Sequence, residues 1–211
     1  MGFWSFEEGT GNTTSTDYSG HGNNGAWNGT STHYATGKVG SSAGSFNGVN
    51  DYVSATTLTG IPTGGSARSV VFWFKRANTS PNNQYLIGLG DTDDEFTVGF
   101  WTNTYFTVEV NGGYPNYVRW NHAGWTVEQW YMLAITYDGT NVYRSSINGG
   151  ALNAPNSFGG TVPNPLTGTV SKARVGNGIG ANYFGGTIDD LRIYNRALSA
   201  AEIQAIYNAT R

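Results

Sequence analysis

The chain has 211 residues, 38% of them hydrophobic, which is enough at this length to bury a core without staples, so disorder is excluded and one domain over 1–211 is expected. Only 12% of positions are charged, against 31 Gly and 14% aromatics, a balance that excludes long amphipathic helices and favours short strands with tight turns. A net charge of −3 with scattered basic residues and no apolar run near ~18 residues argues against nucleic acid and membrane insertion, and the absence of cysteine removes disulfides and thiolate metal sites.

Strand patterns begin almost at once with Phe3-Trp4-Ser5-Phe6, so no signal peptide is visible, and Met1 is read as a start from which any export signal or neighbouring domain has been removed. Compact or period-two apolar runs follow at Tyr52-Val53, Val70 to Phe74, Tyr85 to Leu89, Phe96 to Trp101 and Phe106 to Val110. Later ones run from Tyr131 to Tyr137, Val142 to Ile147 and Gly186 to Tyr194. Asn111-Gly112, Asp138-Gly139 and Asn148-Gly149 supply the positive φ of tight hairpins. Near the end, Ser199-Ala200-Ala201-Glu202 forms a capping box. Ile203, Ile206 and Tyr207 follow on one face, predicting a single short helix at 199–209.

Several phrases in order resemble the laminin G-like branch of the concanavalin A-like lectin/glucanase superfamily. They are Phe3 to Gly9, the turn Asp17-Tyr18-Ser19-Gly20-His21-Gly22-Asn23-Asn24-Gly25, and Phe46-Asn47-Gly48-Val49-Asn50-Asp51-Tyr52-Val53. Phe72 to Lys75, Trp130-Tyr131 leading into Ala134 to Gly139, and Ile147-Asn148-Gly149 continue the series. The run from Phe184 through Asp189-Asp190-Leu191-Arg192 to Ser199 is the most specific. The resemblance implies an all-β jelly-roll β-sandwich of two antiparallel sheets with one short C-terminal helix. Two features depart from it. Ser145 and Ser146 stand where apolar residues are usual, predicting an edge strand, and residues 96–130 are unusually aromatic.

The resemblance also implies one calcium ion between the early Asp turn and the late Asp-Asp strand. The expected ligands are Asp17 and Asn23 side chains, carbonyls at Gly20 and Gly25, and Asp189, since calcium takes six to eight hard oxygens. Strand parity pairs Asp190 with Arg192 and leaves Asp189 the enclosed carboxylate, unless a bulge intervenes. The plainer alternative is an Asx-turn in a Gly-rich loop.

Tyr114, Tyr117, Arg119, Trp120, Asn121 and His122 form the expected ligand-binding group, read as loop aromatics with polar neighbours suited to sugar faces and hydroxyls. Trp101 and Tyr105 are weaker candidates within strands, while Trp4, Trp73 and Trp130 are assigned to the core.

Catalytic motifs are set aside. Gly40-Ser41-Ser42-Ala43-Gly44 mimics a nucleophile elbow but precedes a strand-like segment, and Gly176-Asn177-Gly178-Ile179-Gly180 leads to strand, not helix. Asp91, Asp93, Asp94 and Glu95 lack the spacing of a calcium-binding helix–loop–helix, and no strand carries the paired carboxylates of a glycosidase. The first functional reading is a calcium-stabilised, non-catalytic module that binds glycan or cell-surface polysaccharide. It would belong to a larger secreted bacterial or phage protein, with an extracellular, cell-surface or virion location. The alternative is a structural or adhesive module of a phage appendage or surface protein, with a protein partner. A polysaccharide hydrolase or lyase ranks third.

Overall fold

The computed structural model describes residues 1–29, 32–78, 83–90, 95–110, 115–122, 124–140, 142–160, 170–178 and 182–211. The strands in chain order are β1 (Gly2–Trp4), β2 (Thr14–Ser15), β3 (Gly25–Asn28), β4 (Tyr34–Thr36), β5 (Ser42–Asn47), β6 (Tyr52–Ala55) and β7 (Arg68–Arg76). There follow β8 (Gln84–Leu89), β9 (Phe96–Thr102), β10 (Tyr105–Val110), β11 (Tyr117–Asn121), β12 (Trp130–Tyr137) and β13 (Tyr143–Ile147). The last are β14 (Ser157–Gly159), β15 (Ala173–Val175) and β16 (Gly185–Tyr194), before the helix α1 (Ala200–Thr210). Asn111-Gly112, Asp91 to Asp94 and Ile179-Gly180 lie outside the described residues.

Two antiparallel sheets form the sandwich. One runs β13-β12-β7-β16-β5-β4 with β1 paired to the end of β16, and the other β14-β11-β10-β9-β8-β15-β6-β3-β2. Non-sequential neighbours in both sheets give the jelly-roll connectivity that the resemblance implies. β13 is an edge strand, as Ser145 and Ser146 foretell, and both serines are nonetheless buried.

β7 organises the packing. Alternate side chains of a strand point to opposite faces. Val70, Phe72 and Phe74 enter the core between the sheets, while Val71 and Trp73 enter a second cluster outside it. α1 closes that second cluster. Ile203 is fully buried, Ile206 and Tyr207 are partly so, Trp73 stacks on Tyr207 at 5.6 Å, and its Nε1 donates to Thr210 Oγ1 at 2.9 Å. The capping box is formed as expected, with Ser199 and Glu202 exchanging hydrogen bonds. Trp4 and Trp73 are buried; Trp130 is half-buried against the outer cluster with Lys75 over its ring.

The inner face of β7 starts and ends with arginine. Arg68 lies over the Phe96 ring at 5.5 Å and donates to the carbonyls of Gly64 and Ser66; Arg76 lies over Phe100 at 4.3 Å and reaches Asn103. Loss of hydration pulls both guanidinium groups down to about 10, so they stay charged at neutral pH.

β11 was expected as loop and is a strand. Its parity sends Val118 and Trp120 to the core and Tyr117, Arg119 and Asn121 to the opposite face. Trp120 is therefore not an exposed recognition residue: it is 2% exposed, stacked on Phe106 at 5.2 Å, with Nε1 donating to the Asn153 carbonyl.

Trp120→Ala should destabilise the fold by about 3–5 kcal/mol, read by denaturant melts, because the indole fills core volume. Ser199→Ala should cost about 1 kcal/mol by loss of the cap. Glu202 is held down to about 2 by Arg196 and then by Ser199, so its contribution is present above pH ~4.5 and disappears as pH falls toward 2. Melting curves between pH 5 and 2 should fall more steeply for the native chain than for Glu202→Gln.

Candidate functional site

The nine-stranded sheet has one face in the core and one turned away from it. Register aligns Tyr85, Gly99, Thr107, Arg119 and Ser157 in one row across that outer face, and Gly88, Thr97, Glu109, Tyr117 and Gly159 in the next. Tyr85, Thr97, Thr107 and Glu109 are nevertheless buried. Part of their cover is the segment at Asn177 and Gly178. A Cβ on Gly178 would meet Thr97 and Tyr85 side chains at 2.6 and 2.8 Å, and one on Gly88 would meet the Gly178 backbone at 3.2 Å.

Buried polar groups collect under this cover. The Tyr85 hydroxyl donates to Glu109 Oε2 at 2.6 Å, and Thr97 donates to Glu95 Oε2 at 2.9 Å. Burial pushes the Glu109 carboxyl up from its ordinary value and the Tyr85 phenol up as well. Glu95 and Glu109 are each 3% exposed.

Beyond the cover the face opens at Arg119. Its guanidinium lies 3.7 Å from the Tyr117 ring centroid and 4.1 Å from that of Trp101, an arrangement worth roughly 0.5–2 kcal/mol per contact depending on desolvation. Arg119, Trp101, Thr102, Tyr105 and Ser157 bound a depression of about 300 Å³. Aromatic faces and polar edges meet there, the combination suited to a ring-shaped polyol.

A second depression of about 340 Å³ lies at the end of β11, where Asn121, His122, Ser145, Asn153 and Asn156 surround the edges of Phe106 and Trp120. The Asn121 amide donates to Asn156 Oδ1 at 2.7 Å, and His122 packs on Trp125 at 4.2 Å. Burial lowers the imidazole's pKa, which favours its neutral form. Thus Tyr117, Arg119, Asn121 and His122 flank the two openings, Trp120 forms part of the floor of one, and Tyr114 lies outside the described residues. Trp101 and Tyr105, ranked lower from sequence, are walls of the first depression. Their alternation with Phe100 and Phe106 on β9 and β10 is the signal that places them outside the core.

The early Asp turn is closed by protons. Asp17 Oδ1 accepts from the Phe3 and Ser19 amides, both at 2.9 Å, and Oδ2 from Ser19 Oγ at 2.8 Å and the Asn23 amide at 2.9 Å. These donors outweigh burial and hold its pKa below the usual value. Asn23 accepts from Thr59 N at 2.6 Å and donates to the Met1 and Thr59 carbonyls. Gly20 sits at φ 84° in the turn, and Gly25 is drawn into β3 opposite Ser15.

Asp189 has different partners. Its Oδ2 accepts from the Lys38 and Val39 amides at 2.8 and 2.9 Å, and burial pushes it up to about 7. A bulge is present at this point, yet the expected roles are not reversed: Asp190, at φ 49°, pairs with Arg192 at 3.0 Å and Asp189 stays enclosed. The first loop and the last strand lie on opposite sides of β1, since Trp4 bridges Asp17 on one side and pairs with Leu191 on the other. Asp17 and Asp189 share no hydrogen-bond partner, and each Asp17 oxygen already accepts two protons. As arranged, the five expected residues do not fit a calcium ion. Asp189 Oδ1 is their one buried side-chain oxygen lacking a hydrogen-bond partner.

Comparison with known proteins agrees with this architecture. A laminin G-type family model, described as the concanavalin A-like lectin/glucanases superfamily, matches residues 47–204. No curated protein matches the chain. Among solved structures, domain 4 of AbnA, a GH43 extracellular arabinanase from Geobacillus stearothermophilus in complex with arabinotriose, superimposes with a TM-score of 0.72 at 23% identity, covering 98% of this chain and 97% of that one. The binding domains of botulinum neurotoxin serotypes D and G superimpose at TM-scores of 0.73 and 0.71 with 14% and 17% identity. Those matches cover 99% and 98% of this chain, which spans 51% and 50% of the respective toxin chains. At these identities the likeness is one of fold. With the family model matched over most of its length, the chain belongs to the concanavalin A-like lectin/glucanases superfamily.

Proposed function

We propose that this domain is a non-catalytic carbohydrate-binding module of an extracellular or surface-exposed protein. The observation that carries the reading is the depression walled by Trp101, Tyr105 and Arg119, where ring faces and guanidinium edges stand together outside the core. Aromatic faces cover the C–H faces of a sugar while Asn, Thr and Arg side chains serve its hydroxyls. The arabinotriose complex of the structurally similar arabinanase domain supports the same class of ligand. The non-catalytic part of the proposal rests on Glu95 and Glu109: both carboxylates are buried and held by Thr97 and Tyr85.

A glycan array followed by calorimetry on the best oligosaccharide tests the proposal. Trp101→Ala and Tyr105→Ala should each weaken binding about tenfold or more while the melting temperature holds, because both side chains lie outside the core. Absence of binding to every glycan, with capture of a protein partner instead, would sink the reading in favour of an adhesive module. Because the Asp17 loop is closed by amide and hydroxyl protons, EDTA should leave both affinity and melting temperature unchanged. A rise of several degrees on adding calcium would show that the loop rearranges around the ion.

A further inference from the structure

Arg119 carries two donors that the fold leaves without acceptors. Its Nε and Nη2 are both buried from water and have no hydrogen-bond partner. Those two atoms form one edge of the guanidinium, the edge that accepts the two oxygens of a carboxylate side by side. The same molecule shows that edge in use: Arg192 Nε and Nη2 both donate to the Asp190 carboxylate, at 3.1 and 3.0 Å. Among the described residues no carboxylate is hydrogen-bonded to Arg119. Glu109, diagonal to it on the neighbouring strand, feels its charge but has Oε2 on the Tyr85 hydroxyl and leaves Oε1 without a partner.

The rings of Tyr117 and Trp101 lie against the guanidinium. Ring contacts leave the in-plane N–H groups for a polar partner, and they hold the group in place before a ligand arrives. Desolvated donors without an acceptor cost free energy in the empty protein, and an anion supplied by a ligand removes that cost. Arg119 is also a wall of the open depression beside Trp101, Tyr105 and Ser157, so a turn of the guanidinium in its own plane, between the two rings, is what brings the covered Nε/Nη2 edge to a ligand there.

We infer that the preferred glycan is acidic, with a sugar carboxylate seated on the Nε/Nη2 edge of Arg119 and its ring against Trp101 and Tyr105. This rests on the carbohydrate-binding reading and specifies its ligand class. A carboxylate is the partner that this same edge takes elsewhere in the molecule, at Arg192 and Asp190.

The experiment uses the whole 211-residue chain on an array holding neutral, uronate-containing, sialylated and sulfated glycans, followed by calorimetry of the best acidic ligand and its carboxyl-reduced form. Binding should be confined to carboxylate-bearing glycans, weaken with salt, and fall about tenfold or more on carboxyl reduction. Arg119→Gln should show the same loss with an unchanged circular dichroism spectrum. Arg119→Lys, which keeps the charge but not the fork, should recover only a minor part of it. If Arg119→Gln fails to fold, the carboxyl-reduced ligand still decides the matter on the native protein. Equal affinity for the reduced and native ligands, or a preference for neutral or sulfated glycans, overturns this inference while leaving the carbohydrate reading intact. Binding to no glycan at all overturns both.

Discussion

Strand β7 has apolar side chains on both faces, and the molecule is built around keeping both of them dry. Phe72 and Phe74 face the opposing sheet; Val71 and Trp73 face outward, where a β-sandwich normally meets water. One sheet cannot cover two faces. The return of the chain as α1 onto Trp73 supplies the second cover, and its capping box and the Trp73–Thr210 hydrogen bond fix its position. The neighbours β12 and β16 share the constraint, since Met132 and Ala134 of β12 belong to the outer cluster and Tyr194 of β16 packs against it. Strands buried on both faces read as continuous apolar runs rather than alternating ones, and Val70 to Phe74 is such a run.

Polar groups are handled differently in different parts of the fold. At the two ends of β7, arginines are laid over phenylalanine rings and keep their charge without a carboxylate in contact. At the bulge of β16, Asp190 and Arg192 neutralise each other. Under the cover of the nine-stranded sheet, Glu109 is stabilised by a single phenol hydrogen bond and its pKa rises. Arg119 resembles the arginines of β7 in having ring contacts and unpartnered donors, as Arg68 Nη1 and Arg76 Nε and Nη1 also lack acceptors. Its position at an opening, rather than at a sealed end, separates it from Arg68 and Arg76.

Much of the fold is legible in the residues. Strands rich in Val, Ile, Phe and Trp declare themselves, as do the helix cap and the edge position of the serine-bearing β13. The strands that escape notice are β2 to β5, β14 and β15, made largely of Ser, Thr, Gly, Ala and Asn; their pairing comes from neighbours rather than from their own propensity. β11 is a different case. Asn and Pro around it suggest loop, while the alternation Tyr117-Val118-Arg119-Trp120-Asn121 carries the period of a strand with Val118 and Trp120 inward. Reading that alternation assigns Trp120 to the core and moves attention to Arg119. The Asp17 turn shows the limit of composition. Oxygen-rich loops that bind cations and loops that close on their own amides have the same residues, and only the donor positions separate them.

The division of β11 between its two faces has an evolutionary corollary. Even-numbered positions are locked by volume inside the sandwich, whereas 117, 119 and 121 border openings and are constrained only by what they touch there. Ligand preference can drift at those three positions without disturbing the interior, but a slip of one residue would bury a guanidinium and expel an indole. Selection on specificity and selection on folding therefore act on interleaved letters of the same five-residue word.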